Sequence, residues 1–156
     1  MSRRARLGMA MFLIAEAVFF FLLILAFWYF RQRATLNFTA GALDTGLLVA
    51  SALCVWRATD GARVWLVPAI VLGAGFLAGQ GNQYFHLIRS GVTISTGLFG
   101  TTFFTLTAMH GLNVITALIA LAVVPAAGTR AVALYWYFLS AVWVLIFLSA
   151  YVWGAA

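Results

Sequence analysis

The 156-residue sequence has no lysine, three acidic residues, two histidines, two prolines and one cysteine. Each scarcity removes a class of protein. Charged residues make up 8% of the chain, too few to cover the surface of a water-soluble domain of this length. The lone Cys54 admits no intrachain disulfide, and inside an apolar run it reads as a small buried side chain. A bis-histidine haem needs two imidazoles at one depth, whereas His86 and His110 are predicted about 18 Å apart along the membrane normal. Zinc and copper sites want more His, Cys or carboxylate than the chain supplies, so no metal site is expected. The nine basic residues are all arginine, set singly or in small groups. A groove that tracks phosphates would cluster them, so nucleic acid is not an expected partner. No nucleophile–base pair with an orienting third group is visible, and no phosphate loop. A catalytic centre is therefore not expected in this chain.

What is abundant is apolar surface. Hydrophobic residues form 65% of the sequence, and its mean hydropathy is +1.08. These values predict an all-α integral membrane protein, because backbone amides in lipid are satisfied within helices. Five spans fit, at about 8–30, 41–57, 64–86, 98–124 and 132–153, making residues 1–156 one transmembrane domain. The N-terminal run resembles a signal peptide, but it continues to Phe30 with no early cleavage site and reads as a retained first span. Short loops make neighbouring helices antiparallel. With the N-terminus inside, Arg3, Arg4, Arg6, Arg57, Arg63 and Arg130 share the cytoplasmic face, against Arg31, Arg33 and Arg89 outside. That asymmetry favours a cytoplasmic N-terminus and an external C-terminus. Trp28, Tyr29, Trp56, Trp65, Trp136, Tyr151 and Trp153 fall near span ends, where an interfacial aromatic belt belongs.

Polar groups inside the spans are the candidate site. Glu16 is the one acid expected well inside the membrane, Asp44 and Asp60 falling nearer edges or loops. Counting at 1.5 Å per residue puts Glu16 about 12 Å above the inner edge and His110 about 18 Å below the outer one, hence level. Asn113 shares the His110 face, and Tyr137 and Ser140 lie at a similar depth on the last span. These five residues are predicted to form a buried polar layer in which Glu16 or another member holds His110. Either a proton- or lipid-linked role or a purely structural one fits Glu16 and His110. Gln80, Asn82, Gln83 and Tyr84 form a second, outer polar cluster ending the third span. Gly73, Gly75 and Gly79 mark that span for close helix packing.

Four stretches carry a resemblance to one family. FLIAEAVFFFLLILAFWY resembles the segment of cytochrome c oxidase subunit III that bears its membrane-embedded glutamate, with Glu16 at that position. GQGNQY resembles the family's Q-x-x-E-Y. The run around MHGLNV resembles its H-G-L-H-V, with His110 matching the first histidine. The closing YWYFLSAVWVLIF resembles W-H-F-x-D-x-x-W-x-x-x-F through Trp136, Phe138, Trp143 and Phe147. Gln83 stands where the family often has Glu, Asn113 for the second His, and Tyr137 and Ser140 for a His and an Asp.

The resemblance implies the five-helix form of subunit III. This would be a non-catalytic, phospholipid-binding accessory chain of a proton-translocating haem–copper terminal oxidase in aerobic electron transport. It would pack mainly against subunit I, beside other oxidase subunits and membrane lipids, and support proton uptake. Haem and copper would reside in the partner subunits, and the chain would be a multi-pass protein of a bacterial inner (plasma) membrane. The alternatives are a subunit III-like component of a quinol oxidase or nitric-oxide reductase, and an independent small proton-linked transporter. The absence of paired repeats and broken helices argues against a transporter.

Overall fold

The computed structural model describes residues 3–30, 36–125 and 128–152. Five helices follow one another: α1 (Arg3–Phe30), α2 (Phe38–Thr59), α3 (Leu66–Arg89), α4 (Leu98–Val123) and α5 (Thr129–Phe147). A 3-10 turn, Arg63–Trp65, leads into α3, and a π turn, Leu148–Val152, continues α5. All five are long and apolar enough to cross a membrane. We call the end of the bundle where α1 starts the near side, and the opposite end the far side.

Most helices overrun the predicted spans because the apolar run records only the part within hydrocarbon, while capping extends a helix into the interface. Asn37 is the clearest case: its side chain accepts from the Ala40 amide at 3.1 Å and starts α2 at Phe38. Asp44 therefore lies about 9 Å into α2, not at its edge. At the other end, Gly61 adopts a φ of 107°, which turns the chain tightly toward α3. Arg63 then ties two near-side corners together, its guanidinium donating to the Val124 carbonyl at 2.9 Å. Of the other arginines, Arg31 and Arg33 lie outside the described residues.

The core runs through α2 to α5. α2 packs most extensively on α3, and α5 bridges α2 and α4. α1 is peripheral: it rests on α4 and, less, on α5, and buries only Phe20 and Phe27. Lipid is as apolar as a leucine side chain, so close packing and interhelical hydrogen bonds must hold the helices together. Ser51 supplies one such bond, from α2 to the Ala69 carbonyl of α3 at 2.7 Å. The glycines of α3 supply the closeness but divide between two faces. Gly75 and Gly79 face α2, where added Cβ atoms would meet Leu47 and the Asp44 carboxylate. Gly73 faces α4 and α5, against Leu118 and the indole of Trp136.

The aromatic belt is smaller than expected. Trp28, Tyr29, Trp56 and Trp65 are exposed near helix ends, but Trp136 is fully buried and Tyr151 nearly so. Trp136 fills the space left by Gly73, and Tyr151 turns inward on the π turn. Trp153 lies outside the described residues.

Candidate functional site

The buried polar side chains separate into two levels rather than one layer. The lower level joins α1 to α4: Asn113 Nδ2 donates to Glu16 Oε2 at 2.7 Å. Both residues are half-buried, so the pair sits at the edge of the bundle. Glu16 pairs with Asn113 and not with His110, one turn higher on α4. Glu16 thus meets α4 one turn from His110, and the expected Glu16–His110 contact is absent.

His110 is fully buried in an aromatic enclosure instead. Phe20, Phe76 and Trp143 surround it, with ring centroids 5.9, 5.9 and 5.3 Å away. Neither ring nitrogen has a hydrogen-bond partner among the described residues. A neutral imidazole brings one donor and one acceptor, so two groups are desolvated without return. Replacing His110 by Phe is therefore expected to stabilise the bundle by about 1–3 kcal/mol, measured by unfolding in mixed SDS micelles. A comparable loss of stability would mean that the imidazole has a partner in the membrane, such as an internal water.

Tyr137 and Ser140 do not reach this group. They line a shallow apolar groove of about 410 Å³ between α2 and α5, with Val49, Leu53 and Trp56. Ser140 Oγ donates back to the Trp136 carbonyl of its own helix at 2.9 Å.

The upper level, toward the far side, is the more connected. Asp44 is 5% exposed, and its Oδ2 accepts from Gln80 Nε2 at 2.7 Å and from Gln83 Nε2 at 2.8 Å. Tyr151 donates its hydroxyl to Gln83 Oε1. One residue beyond Asp44, Thr45 accepts from Trp143 Nε1 at 3.0 Å, so the same stretch of α2 holds α5. Tyr84, also on α3, pairs with Thr107 of α4 at 2.6 Å. Of the outer cluster read from the sequence, Gln80 and Gln83 thus join one network and Tyr84 a separate bond. Asn82 is exposed and lines a far-side cleft.

Two members of this network were not anticipated, Asp44 and Tyr151. The signal for Asp44 was a stripe on α2: Gly41, Asp44, Leu48, Ser51, Val55 and Ala58 recur at helical spacing and are all buried. Tyr151 gave no such signal. The π turn that carries it adds a residue to the helical repeat and re-aims the side chains beyond it, a feature frequent at functional sites.

Comparison with known proteins places the chain in a family. The profile of the family described as cytochrome c oxidase subunit III matches residues 42–155. The chain belongs to the cytochrome c oxidase subunit III family. It is 32% identical to "Probable cytochrome c oxidase subunit 3" of Nocardia farcinica, over 92% of this chain and 85% of that one. It is 31% identical to the subunit 3 of Scyliorhinus canicula, over 96% of this chain and 70% of that one. Its similarity to the Corynebacterium diphtheriae subunit 3 is 38% identity over 58% of this chain, spanning half of the relative. The residues matched by the family profile include the whole upper network and His110, whereas Glu16 lies ahead of them.

Proposed function

We propose that this subunit III-family chain serves as an accessory, non-catalytic subunit of a haem–copper terminal oxidase, packed against subunit I in a bacterial inner membrane. The family match over 42–155 carries the reading. α1 supports it physically. Met11, Ile14, Val18, Phe21, Leu22 and Leu25 leave a wide apolar face that none of the described residues covers. The half-buried Glu16–Asn113 pair lies at the edge of the same helix, where a neighbouring subunit or a phospholipid would complete its surroundings. Haem and copper belong in this reading to the partner subunits; electron transfer and oxygen reduction occur there. The chain contributes packing, lipid retention and support for proton uptake.

Purification of the native complex tests the assignment. An equimolar presence of this chain with haem-bearing partners is expected by mass spectrometry and haem absorbance. A solubilised chain that runs alone, without haem or partner chains, overturns the reading. Within the complex, Glu16→Ala is expected to shorten the working lifetime or weaken assembly, and to leave the initial rate of haem reduction within about twofold of wild type. Immediate loss of haem reduction in a fully assembled complex would contradict an accessory role for this acid.

A further inference from the structure

The upper network poses a charge problem. Asp44 has no ion pair among the described residues; its side-chain partners are the neutral amides of Gln80 and Gln83. From α3 it faces Gln80, Gln83 and Gly79, and from the π turn it faces Tyr151. The other titratable group beside Tyr151 is the Tyr84 hydroxyl. No cation is present in this set. An ionised carboxylate at this depth would be an uncompensated charge costing several kcal/mol. The helix ends do not compensate it: the positive end of α2 acts within its first turn, and Asp44 lies in the second.

Two further observations concern hydrogen and access. Gln80 Oε1 is buried, in a residue only 7% exposed, and lacks a donor among the described residues. Its amide donates to Asp44; turned over, it would present that oxygen to a carboxyl O–H instead, since amide oxygen and nitrogen are interchangeable in shape. Gln83, held by Tyr151, is both a member of the network and a wall of the far-side cleft. That cleft is about 300 Å³ and polar in part, lined also by Asn37, Asn82, His86 and Ser90. It is large enough for several waters, and its imidazole and amides give them partners.

We propose that Asp44 is a proton-binding site. Its carboxyl, clasped by Gln80 and Gln83, holds a proton at neutral pH and exchanges it with far-side water through the cleft that reaches Gln83. The ligand is the proton itself, and the release is a simple dissociation: Asp44–COOH gives Asp44–COO⁻ and a proton to cleft water. In the orientation read from the arginines, that water is external. The proposal stands whichever complex holds the chain.

The chain has only two aspartates, Asp44 and Asp60. This permits a test on the unaltered protein. The full chain, labelled with carbon-13 at the aspartate carboxyls and reassembled with unlabelled partner subunits, is examined by infrared spectroscopy at neutral pH. One labelled carboxyl is expected to show the C=O stretch of a protonated acid, to shift on transfer to D₂O, and to vanish in Asp44→Asn. Asn82→Trp, which fills the cleft without touching the carboxyl, is expected to slow the D₂O shift about tenfold. Two ionised aspartates in the wild-type chain overturn the proposal. A protonated band that survives Asp44→Asn overturns the assignment to this residue. Exchange as fast in Asn82→Trp as in wild type overturns the far-side route.

Discussion

Gly79→Ala is expected to destabilise the bundle by about 2–4 kcal/mol, although alanine is the better helix former. The added Cβ would occupy the position of the Asp44 carboxylate, with Oδ1 its nearest contact. That carboxylate cannot step aside freely, since Gln80 and Gln83 both hold its other oxygen. Either α2 and α3 separate or the two hydrogen bonds break, and the buried amides are then left unpartnered. Gly75→Ala, one turn away on the same face, is the control. Its Cβ would lie 3.6 Å from Leu47 Cδ1, an ordinary contact, so the change should be neutral or stabilising by up to about 1 kcal/mol. Unfolding in mixed SDS micelles separates the two. Equal shifts for both variants would show that the Asp44 contact does not set the spacing of α2 and α3.

Trp143→Ala is expected to cost about 3 kcal/mol, through lost contacts and a cavity. The indole is fully buried, 4.7 Å from the Phe76 ring and 5.3 Å from His110, and its Nε1 bonds Thr45 across the bundle. Trp143→Phe keeps an aromatic ring in place and loses the hydrogen bond, so about 1 kcal/mol of that cost should remain. The variants therefore divide the effect between ring packing and the Thr45 bond. If Trp143→Phe proves as damaging as Trp143→Ala, the hydrogen bond, not the ring, fastens α5 to α2.

The candidate site was only partly legible. Glu16, His110, Asn113, Gln80 and Gln83 stood out because a polar side chain within an apolar run is costly in lipid, whatever its neighbours. Depth could be counted too, because a helix rises by a constant step. Counting gives height but not azimuth. Glu16 and His110 came out level, yet α1 and α4 meet so that Asn113, one turn lower, takes the bond. Tyr137 and Ser140 lie on the wrong side of α5, in a groove against α2. Asp44 was placed near a membrane edge because the predicted span begins at 41, only three residues before it, whereas Asn37 caps α2 two turns earlier.

By itself the sequence determined the solvent, the number of crossings and the family. Those follow from sums along the chain: apolar length against hydrocarbon thickness, the places where arginine gathers, and motifs read in order. Only the tertiary structure decided which polar groups meet. Side-chain partners across a bundle depend on the rotation of each helix about its axis. Local features set that rotation here: a glycine of α3 that admits a carboxylate from α2, and a π turn that swings Tyr151 onto Gln83.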